Sequence, residues 1–99
     1  MEINNKLDGN TLNLEIVGRL DTTTAPTLEA ELKKSVSDDV KELVFDFAKL
    51  EYISSAGLRV LLAAQKVMNA QGAMKIKNVS SEIMEIFEVT GFSDILTIE

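Results

Sequence analysis

The chain reads as an α/β domain: a mixed, largely parallel β-sheet opened by an N-terminal hairpin, with helices packed on it. Three observations lead there. Asp8-Gly9 supplies a tight positive-φ turn ahead of Thr11–Val17, where Leu12, Leu14 and Ile16 alternate with Thr11, Asn13 and Glu15. The mostly apolar run Leu43-Val44-Phe45-Asp46-Phe47 is bounded by charge and suits a central strand buried on both faces. Segments with helical spacing fall between and after these runs, so the order is β-β-α-β-α-β-α-β.

Each element has a local cause. Ile3–Lys6 is the weaker first strand of the hairpin, and Gly18–Thr24 reads as a loop with Asp21 and three successive threonines. Pro26 fits the first turn of a helix capped at Thr24 or Ala25, with Leu28, Leu32 and Val36 as its inward stripe and Ser37-Asp38-Asp39 as its end. Ala48–Glu51 is a short connector. A second helix runs from Ala56 to about Gln71, with Leu58, Leu61, Leu62 and Met68 on or near one stripe and Gly72 as its stop; Ala63 and Ala64 allow the sheet to approach closely. Met74–Lys77 alternates as a strand. Ser80 or Ser81 caps a third helix that buries Ile83, Ile86 and Phe87 and turns Glu82, Glu85 and Glu88 to water. Gly91 ends it, and Ile95–Ile98 forms a last strand.

Composition narrows the function. The 99 residues make one domain, 1–99, with 45% hydrophobic and 26% charged residues, as in an ordinary globular fold. A net charge of −6 disfavours nucleic acid and anionic membrane, which would meet like charge. No cysteine and no histidine are present, which removes thiol chemistry, the commonest transition-metal ligand and the usual base near neutral pH. No metal or other cofactor is expected. No apolar run approaches the roughly 20 residues of a membrane span, and the polar start Met1–Asn5 lacks a signal-peptide core, so a cytoplasmic protein is expected.

The most informative stretch is Tyr52-Ile53-Ser54-Ser55-Ala56-Gly57-Leu58-Arg59-Val60-Leu61-Leu62. It places two serines where a strand gives way to an amphipathic helix. One serine suffices as a cap; a second is free for another use. Gly57 costs helix propensity, which points to a close backbone approach. A phosphate on Ser55 would meet helix N–H groups, so the fold would survive it and the effect would fall on a partner surface. Asp21 reads locally as an Asx-type turn, and otherwise as part of the same surface. Asp46 reads as an exposed strand-end carboxylate. A hydrolase using Ser55 lacks a base, since no Ser-x-x-Lys spacing surrounds it. No glycine-rich phosphate loop supports nucleotide binding.

Gly18-Arg19-Leu20-Asp21, Leu43–Phe47 and Tyr52–Leu58 together resemble the STAS domain of bacterial anti-sigma factor antagonists, over nearly the whole chain. The resemblance implies a single STAS-like domain that is not an enzyme and works by partner switching. Unphosphorylated, it would bind an anti-sigma factor that is also a serine kinase, freeing the sigma factor. Phosphorylation would release it, and a PP2C-type phosphatase would reset it. Ser55 matches the phosphate acceptor. Asp21, Thr22, Ser54, Ala56, Gly57, Leu58 and Arg59 match the surrounding partner-binding surface. The resemblance also implies a monomer when free. The chain departs from the commoner pattern at Ser54, where many members carry Asp, and at Ala56, where many carry Ser or Thr. An accessory or scaffold subunit of a transporter or stress-sensing assembly is the alternative role for such a domain.

Overall fold

A computed structural model describes residues 1–99. Strands β1 (Glu2–Asp8) and β2 (Thr11–Leu20) form the antiparallel hairpin turned by Gly9. Helix α1 (Ala25–Ser35) follows, then β3 (Glu42–Asp46), β4 (Leu50–Ile53), α2 (Ser55–Gln71), β5 (Ala73–Lys77) and α3 (Ser81–Thr90). The sheet runs β1-β2-β3-β5, and every contact after the hairpin is parallel. This is the mixed, largely parallel sheet expected from the sequence.

Alternation assigns the two sheet faces. Leu12, Leu14 and Ile16 of β2, Leu43 and Phe45 of β3, and Met74 and Ile76 of β5 are buried together with Leu28 and Leu32 of α1 and Leu58, Leu61 and Met68 of α2. Val44 is also buried but stands apart from that core, among polar residues of the opposite face. There the Asn4 amide donates to Glu15 at 2.8 Å, and Lys75 meets Glu42 at 3.1 Å. Burial of some two dozen apolar side chains at about 25 cal/mol per Å² supplies the main folding drive.

The expected elements differ from the structure in four places. The segment expected as a loop from Gly18 instead extends β2 to Leu20, because Gly18 takes a φ of +97° and the register shifts there rather than ending. The expected connector Ala48–Glu51 is partly strand: after the turn at Phe47, β4 resumes the edge that β3 left and pairs in parallel with Gly18–Leu20. The expected last strand Ile95–Ile98 reduces to one parallel bridge between Ile98 and Ile76. A 3-10 turn at Phe92–Asp94 consumes the preceding residues, and Ile95 N–H still bonds back to Phe92. Leu62 and Ile86 are half-buried rather than core, and Ala63 is exposed; only Ala64 of the alanine pair packs inward.

Candidate functional site

The pairing of β4 with the extended end of β2 builds the site. Arg19 lies opposite Tyr52 and Leu20 opposite Ile53, and Ser54 N–H donates to the Leu20 carbonyl at 2.9 Å. The chain therefore leaves β2 into the Asp21 loop beside the point where it leaves β4 into α2. The Arg19 guanidinium sits 4.5 Å from the centre of the Tyr52 ring, a cation–π contact that braces the two strand ends.

At the start of α2 the two serines divide the work. Ser54 has extended backbone (φ −96°, ψ 173°), and its hydroxyl accepts the Gly57 N–H at 3.3 Å. It is the N-cap, a contact that contributes about 1 kcal/mol. Ser55 is the first helical residue, is exposed, and takes no part in that cap. Gly57 is buried because the helix start presses on the strand ends. A Cβ built there would lie 2.7 Å from Leu20 Cγ and 2.9 Å from Ile53 Cγ1. The close approach read from the sequence is therefore present. Leu58 is 5% exposed and belongs to the core. Gly57 and Leu58 consequently hold the helix start in place, and the accessible groups are Thr22, Ser55 and Arg59, with Ser54 and Ala56 half-exposed.

The Asp21 loop is fixed by its own hydrogen bonds. Asp21 Oδ1 accepts the Thr23 N–H at 3.0 Å, the Thr23 hydroxyl at 2.7 Å and the Thr24 N–H at 3.1 Å. Thr24, at the cap of α1, gives its side chain to the loop rather than to the helix: its hydroxyl accepts from Asp21 N–H and donates to the Arg19 carbonyl. Arg19 Nε stands 3.8 Å from Asp21 Oδ2. This is the Asx-type turn anticipated from the sequence, and it leaves Thr22 and Thr23 exposed, with the Thr23 hydroxyl engaged on Asp21. Thr22 shares a cleft with Ala56 and Arg59, so the loop and the start of α2 form one surface.

Two carboxyls differ from ordinary aspartate. The Thr23 hydroxyl is the largest cause holding Asp21 below its usual value of 3.8; desolvation opposes it, and the Thr24 and Thr23 N–H groups reinforce it. At Asp46 partial burial works against ionisation. It is outweighed by the Asn78 amide and the Ala48 N–H, each donating at 3.0 Å, and by Lys77 and Lys49. Asp46 is thus half-buried, correcting its reading as an exposed carboxylate. It clamps the end of β3 to Asn78, which holds a φ of +59° after β5. Both groups ionise more readily folded than unfolded. Their stabilisation is complete above 3.8, where the unfolded carboxyl is also ionised, and is lost as pH falls through the lower folded value. Asp46→Asn should therefore lower stability at neutral pH and make its loss in acid shallower. Urea midpoints from neutral down to about pH 2 check this. An unchanged acid limb would show that the Asn78 clamp does not form in solution.

No cluster of three or more acidic side chains is placed to hold a metal ion, and no helix is long and apolar enough to cross a membrane. The fold thus presents an exposed serine at a helix start, beside a loop locked by its own hydrogen bonds. The chain belongs to the STAS domain family, whose profile matches residues 2–99. It is 36% identical over 94 residues to BtrV of Bordetella bronchiseptica, a protein assigned as an anti-sigma factor antagonist, covering 94% of this chain and 80% of that protein. It is 29% identical over 94 residues to the anti-sigma-B factor antagonist of Bacillus subtilis, covering 94% and 85%. Its fold is similar to that of the Bacillus cell fate determinant SpoIIAA in its phosphorylated form. That match has a TM-score of 0.77 at 17% identity, over 99% of this chain and 91% of the other.

Proposed function

We propose that the protein is an anti-sigma factor antagonist acting by partner switching. Unphosphorylated, it binds an anti-sigma factor serine kinase and so frees the sigma factor. Phosphorylation of Ser55 ends the binding, and a PP2C-type phosphatase restores it. The observation that carries this reading is Ser55 itself: an exposed hydroxyl at the first residue of α2, left free because Ser54 caps the helix. The two curated relatives bear the name of antagonist, and SpoIIAA, of the same fold, carries a phosphoryl group in its phosphorylated form.

The chemistry asked of this chain is small. Ser55 Oγ would attack the γ-phosphorus of kinase-bound ATP, ADP would leave, and the hydroxyl proton would pass to a base on the kinase. The phosphoserine would sit at the positive end of α2, where about two added negative charges are tolerated by the helix. They are not tolerated by a partner surface that has closed over Thr22, Ser55 and Arg59. Asp21 serves this surface by shaping the loop that presents Thr22. The departure at Ser54 fits the same scheme, since Ser54 caps α2 as an aspartate would.

The test is sigma release. Unphosphorylated protein is added to the kinase–sigma factor complex of the source cell, and the mixture is resolved by gel filtration. Free sigma factor and a new complex of this protein with the kinase are expected. Sigma factor retained on the kinase at a molar excess of the protein would contradict the reading and favour the accessory-subunit role.

A further inference from the structure

Helices α1 and α2 leave an apolar groove between them that the fold does not fill. Its volume is about 280 Å³, and Leu32 of α1 and Val36 just after it face Val60, Ala63 and Val67 of α2 along it. Val67 is 49% exposed there. Polar groups are confined to one rim, where Glu29 and Lys33 stand 3.6 Å apart. The groove continues into the cleft at the start of α2, because Glu29 and Val60 line both. Anything that closes over Thr22, Ala56 and Arg59 also reaches the near end of the groove.

We infer that this groove is the apolar anchor site of the docking surface, and that it takes aliphatic side chains of the anti-sigma factor kinase that docks at Ser55. The inference rests on the antagonist reading above and extends it. Three observations select this occupant. The groove is continuous with the cleft of Thr22, Ala56 and Arg59, which lies next to Ser55 in the chain. It lacks the convergent polar groups that orient small-molecule ligands. The rim ion pair is neutral, and the chain's net charge of −6 favours a protein segment whose apolar anchors are flanked by basic residues. Binding energy at protein interfaces concentrates where such anchors fill pockets.

A division of labour follows. The groove supplies affinity that does not depend on the state of Ser55, which holds the kinase on its substrate. The phosphate, at the end of the same surface, decides release.

Ala63→Glu tests the inference. Ala63 is exposed on α2, and Glu is a good helix former, so the variant should keep its unfolding midpoint. Calorimetric titration into the source cell's anti-sigma factor kinase should show at least about a tenfold loss of affinity, equivalent to about 1.4 kcal/mol. Lys66→Ala, also exposed on α2 but outside the groove, should bind as the parent does. Ala63→Glu binding like the parent, while Ser55→Asp binds more weakly, would overturn the groove inference and leave the antagonist reading standing. A parent protein that neither binds the kinase nor is phosphorylated by it would overturn both. Sedimentation of the free protein provides the third arm. A dimer dissolved by Ala63→Glu, with kinase affinity unchanged, would assign the groove to a second copy and overturn the inference.

Discussion

Gly72→Ala should cost about 3 kcal/mol of folding stability, the upper end of what overpacking by one methyl group produces. The cause is space and not backbone conformation. Gly72 follows α2 with a φ of 177°, an extended geometry open to any residue, so it stops the helix without the left-handed turn that a glycine there suggests. A Cβ at this position would stand 1.9 Å from the Lys41 carbonyl oxygen and 2.6 Å from its carbon. That carbonyl cannot rotate away. It accepts the Ala73 N–H at 2.9 Å, and the neighbouring Gln71 amide donates to the Val40 and Ser37 carbonyls. The joint between α2 and β5 is thus sewn to the segment that enters β3, and an added methyl must break the seam. Gly57→Ala is the informative comparison. Its obstacles are side-chain carbons of Leu20 and Ile53, and alanine regains about 1 kcal/mol of helix propensity, so its net cost should be smaller, about 1 kcal/mol. Urea unfolding of both variants measures the difference. A Gly72→Ala midpoint equal to that of the parent would show that Lys41 and Gly72 are not in contact in solution.

Ser55→Asp should move stability and binding in opposite directions. A carboxylate at the first residue of α2 faces the positive end of the helix and should raise the unfolding free energy by about 0.3–1 kcal/mol. The same charge placed within the docking surface should weaken binding to the anti-sigma factor kinase by about 2 kcal/mol, roughly thirtyfold. The opposition is the useful feature, because a variant that binds poorly only because it is misfolded loses both. Thermal unfolding and calorimetric titration of one preparation give the two readouts. A more stable protein that binds the kinase as tightly as the parent would remove Ser55 from the interface.

The hairpin, the central strand and the three helices were legible because each carries its own signal. Asp8-Gly9 forces a turn, Leu12, Leu14 and Ile16 keep period two, and Pro26 and Ser80 mark helix starts. β4 was not legible. Leu50–Ile53 is four residues long with only its ends buried, so it shows no alternation. Its partner, the end of β2, lies beyond a glycine that reads as a terminator and in fact marks a shift of register. Without that pair, no local pattern ties the Asp21 loop to the start of α2. The actual tie is Leu20 to Ser54.

The candidate site divides in the same way. Ser54 and Ser55 were visible as a pair, but which one caps α2 depends on a single hydrogen bond to Gly57. The role of Asp46 depends on Asn78, 32 residues away, and no local pattern announces that contact. The groove between α1 and α2 arises from the relative placement of two helices, and neither helix shows it alone. Ala63 read as a small residue turned to the sheet, whereas it faces this groove.

The central claim is that Ser55 accepts a phosphoryl group from an anti-sigma factor kinase while Ser54 only caps the helix. Intact mass after incubation with Mg-ATP and that kinase tests it most directly, with Ser55→Ala and Ser54→Ala in parallel. One added phosphoryl group on the parent and on Ser54→Ala, and none on Ser55→Ala, is the expected result. An added group that persists in Ser55→Ala, or no added group on the parent with any such kinase of the source cell, would contradict the account.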